Sequence, residues 1–494
     1  MSANTLSNLD PQIVWNIFEE ITKTPRPSKH EEKIVAWIKE WAKEHKIACK
    51  EDSVGNLLLS VKATKGKEKA PTLVLQGHTD MVCQKDSDTK VDCEKDSLIV
   101  KTDNKIVYAE GTSLGADNGI GVAIALAALL DEDLEHGPLE VLLTADEESG
   151  LTGALKLKQG FFTGECLLNV DSEDIGKITI SSAGGGDTIL SIPVETVTVK
   201  GWNGIRLTIK GLQGGHSGVD INKTRLNAIK VGVDALTRVQ DYLKAKESKN
   251  NELALSTISG GTVHNAIPRD FSCDFLVNKE YKNIVLKVLK QWKRFAISTM
   301  KDMEPNIQIE ITEIKKIEQA ISAKQSADII FLLFELHHGV VSYSKEIEGL
   351  VQTSNNLASV KTVEDKVEIL VSTRSSVDEE LVQAREKAKQ LGERFGAKVE
   401  LADSYPGWRP DLESPFLKIV KSNYEEVLGK EVELKAIHAG LECGFFLKIN
   451  PKLQVTSIGP TIKNAHSTQE YVEIESVQKI WEVVKKIILS MENL

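Results

Sequence analysis

Pro71 to Asp80, PTLVLQGHTD, decides how the chain is read. A short apolar run, Thr72 to Gln76, stops at a glycine and then presents His78 and Asp80 two residues apart. In an extended segment side chains at i and i+2 share a face, so an imidazole and a carboxylate leave the end of this strand side by side. A lone H-x-D also suits a core histidine beside a helix cap. The two readings separate on whether the rest of the chain supplies further acidic and imidazole groups in equivalent places.

Upstream, Asp10-Pro11 opens a helix to about Ile21, a second helix runs from about Glu31 to His45, and Ile47 to Val61 reads as two strands broken at Val54-Gly55-Asn56. Downstream, Asp86 to Lys105 reads as a hairpin or small insert. The glycine-rich stretch GTSLGADNGIGVAIALAALL then gives a loop that delivers Asp117 and an apolar helix from about Gly119 to Leu130. Leu139 to Thr144 is a strand ending in DEESG, and Cys166 to Val170 is a strand ending in Asp171. Strands alternating with helices predict an α/β fold with a partly parallel sheet, in which functional groups gather at the carboxyl ends of strands. His78, Asp80, Asp146, Glu147, Glu148 and Asp171 all fall at such ends.

From about Ser191 the texture changes. Asn203 to Ile209, Ala254 to Ile258, Phe271 to Val277, Lys366 to Val371 and Lys398 to Leu401 read as strands, and Lys223 to Leu243, Tyr281 to Ile297 and Asp378 to Phe395 as helices. Residues 187–403 are expected to form a second α/β domain. The tail, 404–494, returns to a helix at Pro415 to Leu428, strands near Glu433 and Gln454, and a closing helix from Ile474 to Met491. It carries His466 in the loop NAHSTQE. That histidine can join the first cluster only if 404–494 rejoins 1–186 in one domain, which makes 187–403 an insertion.

The bulk numbers bound the function. A chain of 494 residues is expected to form roughly two to four domains. Sixty-one Lys+Arg against 72 Asp+Glu, net charge -11, with no basic cluster, argue against nucleic acid, whose binding needs a positive face for counterion release. No apolar run reaches the roughly 20 residues of a membrane helix, and MSANTLSNLDPQIVWNIFEE has no secretory pattern. Cys49, Cys83, Cys93, Cys166, Cys273 and Cys443 are scattered without a C-x-x-C pair, which fits reduced thiols in a cytoplasmic protein.

Taken as one site, His78, Asp117, Glu148, Asp171 and His466, with Asp80 and Glu147 beside them, offer imidazole and carboxylate ligands without thiolates. Such a set suits zinc, manganese or cobalt in a hydrolytic centre. Two metals about 3.5 to 4 Å apart need a bridging carboxylate, and Asp117, fixed by the glycine loop and the helix start, is the candidate. Asp80 can hold the other ring nitrogen of His78. Of the adjacent pair Glu147 and Glu148, one can bind metal while the other moves the proton between water and leaving amine.

GHTDMV, SLGADNGIG, TADEESGLTGA, NVDSED, GLQGGHSGVDI, STRSSVD, HAGLECG and AHSTQE, in this order, together with the opening VWNIFEEITKTPRPSKHEEKI and GWRPDLESP, resemble the di-zinc M20 metallopeptidases, and among them the bacterial aminoacyl-histidine dipeptidases. The likeness runs nearly end to end. It implies a zinc-peptidase-like catalytic domain, a central mixed sheet flanked by helices, interrupted by an inserted α/β lid domain with hinges near Ser191 and Ser404. It implies two zinc ions per chain, with manganese or cobalt as substitutes: His78 and Asp171 on one, Glu148 and His466 on the other, Asp117 between them. Asp80 becomes the orienting acid and Glu147 the general base.

By the same resemblance His216 stabilises the oxyanion, Asn265 assists it, Arg374 grips the free carboxylate of a dipeptide and the loop at Gly440 completes the pocket. Thr468 stands where relatives often carry proline. The activity implied is hydrolysis of dipeptides, including those with C-terminal histidine, with a homodimer through the lid as one option. The alternatives are a tripeptide aminopeptidase, a carboxypeptidase or an N-acyl amino acid deacylase of the same family, or a non-catalytic relative that binds metal or peptide. His30, His45, His136, His264, His337, His338 and His438 are read as structural or exposed.

Overall fold

A computed structural model describes residues 6–245, 252–314 and 318–494; the first five residues of the N-terminal stretch read above lie outside them. The chain divides into two units, one formed by Met1–Ser182, Trp408–Ala436 and Leu441–Leu494, the other by Ala183–Gly407 and Ile437–Gly440.

The first unit is built on an eight-stranded sheet in the order Ala48–Glu51, Leu57–Val61, Leu139–Thr144, Leu73–His78, Cys166–Asn169, Gln454–Ser457, Lys177–Ser182, Glu433–Ile437. Leu73–His78 runs parallel to both Leu139–Thr144 and Cys166–Asn169, and Gln454–Ser457 runs parallel to Cys166–Asn169. Toward the edge, Leu57–Val61 is antiparallel to its neighbours, so the sheet is mixed. In the central strands every residue of LVLQGH and LEVLLT is buried. That is why they read as unbroken apolar runs rather than alternating ones, as strands covered on both faces do. In register, His78 stands opposite Thr144, and Gln76 opposite Asn169, so the three carboxyl ends open on the same edge of the sheet.

The helix Ala116–Ala128 is apolar on all sides, as a helix sunk in a core must be. Two glycines allow its close approach. A Cβ at Gly121 would run into the carbonyl oxygen of Val170, and one at Gly77 into the Asn118 side chain. Two local expectations are corrected here. Asp86 to Lys105, read as a hairpin or small insert, holds only the first strand of a hairpin, Val100–Thr102, whose second is Ile106–Ala109, because Asn104 takes the left-handed turn (φ 68) while Asp103 accepts hydrogen bonds from the Lys105 and Ile106 amides. It joins Tyr471–Glu473 and Ile462–Lys463 in a four-stranded sheet that ties in the chain's tail. DEESG is not a bare strand end: Glu147–Gly150 forms one helical turn.

The second unit carries a nine-stranded sheet in the order Gln308–Ile314, Trp202–Lys210, Phe271–Asn278, Leu253–Gly260, Val351–Val363, Lys366–Ser375, Gly184–Pro193, Lys398–Tyr405, with Gly339–Tyr343 also pairing on Val351–Val363. Its core draws on the helices Ala228–Lys244, Lys282–Met300 and Ala323–Glu335. The helix expected from Lys223 begins five residues later, where the Asn227 side chain accepts hydrogen bonds from the Ile229 and Lys230 amides and caps it. Among the described residues no helix is long and apolar enough to cross a membrane.

Candidate active site

His78 ends its strand with the ring held on both sides. Nδ1 lies 3.2 Å from the carbonyl oxygen of Asp80 and 3.3 Å from its Oδ1. Nε2 lies 3.1 Å from Asp117 Oδ1 and 3.4 Å from Asp171 Oδ1. The second oxygen of Asp117 is 3.1 Å from Nε2 of His466, which is also 2.9 Å from Glu148 Oε1. Asp117 therefore turns one oxygen toward each imidazole, although the two histidines come from opposite ends of the chain. His78 is fully enclosed, whereas the His466 side chain is 48% exposed, so the cluster grades from core to solvent.

The scaffold behind these groups explains their precision. Asp117 and Asn118 sit at the helix start with non-helical dihedrals. Glu470 accepts hydrogen bonds from the Leu114, Gly115 and Asp117 amides and so fixes the loop. Asn118 donates through Nδ2 to the Val170 carbonyl (2.6 Å) and accepts from the His78 amide (3.3 Å), tying one strand end to the next. Arg26, buried, donates to the carbonyls of Thr79, Asp80 and Gly115. Asp80 does more than face the His78 ring. Its carboxylate also accepts from the Glu147 and Glu148 amides and from the Ser28 hydroxyl, which seats the turn bearing both glutamates. Glu470, Asn118 and Arg26 all lie inside stretches already singled out, but none was given a role there, since a loop arginine that binds carbonyls is written like any other.

The arrangement fits a divalent cation. A ring nitrogen carries at most one proton, yet each Nε2 faces two carboxylate oxygens, and Asp171 Oδ1 is buried with no hydrogen bond at all. Donors about 3.3 Å apart are the edges of a tetrahedron around zinc at roughly 2.0–2.1 Å. The ligand atoms of His78, Asp117 and Glu148 all lie within 4.8 Å of one another. Electrostatics agree. Against burial, Asp171, Asp117 and Asp80 push His78 well above its ordinary pKa, and hydrogen bonds to Asp117 and Glu148 raise His466. Burial would lift Asp80, but the His78 ring brings it down to about 2. Burial first, then Asp171, Glu442 and Glu148 against His78, push the Glu147 carboxyl well up.

A second acidic group, Glu31, Asp80 and Asp146, also gathers within 4.8 Å. Its carboxylates are occupied: Asp146 by the Ser149 and Thr152 hydroxyls, Glu31 by the Lys29 and Asp146 amides, Asp80 as above. It acts as a brace.

The other expected residues lie in the second unit. His216 Nδ1 accepts from the Gly218 and Val219 amides (3.2 and 3.1 Å), which leaves Nε2 to carry the proton, and burial followed by Arg374 holds its pKa below the ordinary value. Arg374 is buried; Nη1 donates to the Tyr405 hydroxyl (2.8 Å), and Nε has no partner. Gly440, in the short segment that joins this unit, packs so close to the Tyr405 ring that a Cβ would touch it. The Asn265 side chain is exposed, while its carbonyl accepts from the Ser217 amide (2.8 Å). Tyr405 was not foreseen. His264 pairs with Asp187 at 3.2 Å, and His438 is buried with Nε2 2.8 Å from the Ser354 hydroxyl.

An α/β unit with imidazole and carboxylate groups at the carboxyl ends of parallel strands defines a metal-dependent hydrolase, and the comparisons agree. Residues 74–490 match peptidase family M20/M25/M40, and the chain belongs to that family of peptide-bond hydrolases. It is 38% identical to the cytosol non-specific dipeptidase of Escherichia coli strain K12, over 98% of each chain. Among solved structures it is similar to the aminoacylhistidine dipeptidase of Vibrio alginolyticus, with a TM-score of 0.91, 36% identity and 98% of each chain covered. A tripeptidase from Staphylococcus aureus, 16% identical with a TM-score of 0.55 over 98% of this chain and 100% of that one, shares the fold.

Proposed function

We propose that the chain is a dipeptidase that cleaves the single peptide bond of dipeptides, Xaa-His among them, with two zinc ions held by its first unit. The observation that carries this reading is Asp117, one oxygen on His78 and the other on His466. His78 and Asp171 would hold one ion, Glu148 and His466 the other, with Asp117 shared. Bound there, the metal supplies Lewis acidity toward the scissile carbonyl and acidifies water. Glu147 takes the proton of the attacking water and passes it to the departing amine, and a carboxyl pushed up by burial is suited to both transfers. Asp80 keeps the His78 ring oriented and the Glu147 turn in place.

His216, neutral with its proton on Nε2, donates to the oxyanion, assisted by Asn265. Arg374, whose Nε has no partner, takes the substrate carboxylate, and a carboxylate one residue beyond the scissile bond is what distinguishes a dipeptide. The loop at Gly440 borders the substrate. The two relatives at 38% and 36% identity are named dipeptidases, which supports the substrate class. A homodimer through the second unit belongs to the same reading, supported by the exposed apolar Val341 and Tyr343 on its Gly339–Tyr343 strand, and sedimentation measures it. So does a reducing cytoplasm, given six free cysteines.

The test is a panel of dipeptides, tripeptides and N-acyl amino acids against zinc-loaded protein, with metal counted per chain. Dipeptides are expected to be cleaved fastest, and the activity to vanish with a chelator and return with zinc. Preference for tripeptides or acylated amino acids would remove the substrate assignment, and inertness toward every amide would leave a binding protein.

A further inference from the structure

Beneath the acidic cluster lies a carboxyl group that the proposed reaction does not use. Glu442 is 2% exposed. Its Oε2 accepts from Gln76 Nε2 at 2.7 Å and from the Thr144 hydroxyl at 2.8 Å, while Oε1 is buried without a partner. Gln76 also reaches the Thr144 hydroxyl at 3.1 Å and accepts from Asn169 Nδ2 at 2.6 Å. Gln76, Thr144 and Asn169 stand at or near the last positions of the three central parallel strands. Gln76 shares a face of its strand with His78, two residues on. Thr144 is the last residue before the turn that bears Glu147 and Glu148.

We propose that Glu442 is a positioning residue of the hydrolytic site: by accepting hydrogen bonds from Gln76 and Thr144 on one oxygen, it locks the strand end that carries His78 to the strand end that carries Glu147 and Glu148. The ladder between these strands ends at His78 opposite Thr144, where the Thr79 amide and hydroxyl also donate to the Thr144 carbonyl, and the side chains of Gln76, Thr144 and Glu442 add a brace at that end. A side-chain tie just there fixes the separation of the two ends. An acid is a costly group to bury beside Asp171 and Glu147, so packing alone does not account for it; networks of this kind gain their value by specifying one geometry. Burial, with Asp171 adding and His78 opposing, pushes the Glu442 carboxyl up to about 8, and a glutamine, of the same shape, keeps an oxygen for both bonds.

This inference rests on the reading of the site as a metal-dependent dipeptidase, and the experiment separates the two. Glu442→Leu, Glu442→Gln and Thr144→Val are compared with the wild-type chain by zinc affinity, from competition with a chromogenic chelator, and by kcat and KM on a dipeptide. Glu442→Leu is expected to lose about 10- to 100-fold in zinc affinity and in kcat, the range for groups that orient metal ligands, with KM within about threefold. Glu442→Gln should restore both to within about threefold of wild type, and Thr144→Val should lose roughly three- to tenfold.

A Leu variant equal to wild type, a Gln variant as impaired as Leu, or a loss confined to KM each overturns the proposal. If Glu442→Leu does not fold, unchanged zinc affinity and kcat in Thr144→Val overturn it alone. A wild-type chain that binds zinc but cleaves no dipeptide refutes the dipeptidase reading, while zinc affinity across the variants still decides the role of Glu442.

Discussion

The acidic group of the first unit and the Arg374 group of the second are opposite solutions to charge. In the first, Asp80, Asp117, Glu147, Glu148 and Asp171 crowd around two histidines, and the raised imidazoles and raised Glu147 record an excess of negative charge that cations would relieve. In the second, His216 is held neutral near a buried Arg374 with an unpaired donor, so that region is poised to receive negative charge. The proposed hydrolysis calls on both kinds of group: cations for the carbonyl and its water, and donors for the oxyanion and the substrate carboxylate.

The contrast can be broken at either end. Glu147→Ala removes the proposed proton carrier without touching a proposed ligand; kcat is expected to fall about 1,000- to 10,000-fold, the upper part of the range for general acid–base groups, while metal content stays near wild type. Survival of turnover would mean the base lies elsewhere. Asp117→Asn removes the one carboxylate charge that both histidines face, and metal analysis after dialysis should show affinity lowered at least about 100-fold, beyond what changes to supporting residues cost. In the second unit, Arg374→Ala removes a charged hydrogen-bond donor worth about 1.5–3 kcal/mol, or roughly 10- to 150-fold in kcat/KM for dipeptides. Zinc binding should not change, and equal losses on a dipeptide amide would show that the arginine does not read the carboxylate.

The smallest effect concerns pH. Burial first, then Arg374 and His216, holds His438 at about 3, whereas a free histidine titrates near 6.5. Below about pH 6.5 the unfolded chain takes up a proton that the folded chain refuses until about pH 3, so this group makes stability fall as the pH drops through that window. Between pH 7.5 and 5.5 the expected loss is about 1.4 kcal/mol. Urea unfolding of wild type and His438→Gln measures it, since the variant should lack that part of the slope. Equal slopes would mean that His438 titrates freely in the folded chain.

Legibility varied with the kind of residue. The strands Leu73–His78 and Leu139–Thr144 stood out because burial on both faces writes an uninterrupted apolar run. Gly184–Pro193 and Val351–Val363 went unread because they bury Thr188, Thr353, Ser354 and Asn356, polar residues that mimic loop composition. The candidate site was legible where a functional group follows a strand or a glycine loop, as at His78, Asp117 and Asp171. The roles of Arg26 and Glu442 were not legible although both lie in quoted motifs, because their partners are backbone carbonyls or side chains hundreds of residues away.

Sequence alone determined the α/β character of the chain, the acidic and imidazole residues at its strand ends and, through ordered motifs, its family, because periodicity and motif order are local properties of a polymer. Tertiary structure alone decided that Asp117 divides its oxygens between His78 and His466, and that Glu442 accepts hydrogen bonds from Gln76 on one strand and Thr144 on the next. Those facts depend on distances across the fold, set by sheet register and by how closely Gly77 and Gly121 let the Ala116–Ala128 helix approach, and no one-dimensional pattern carries them.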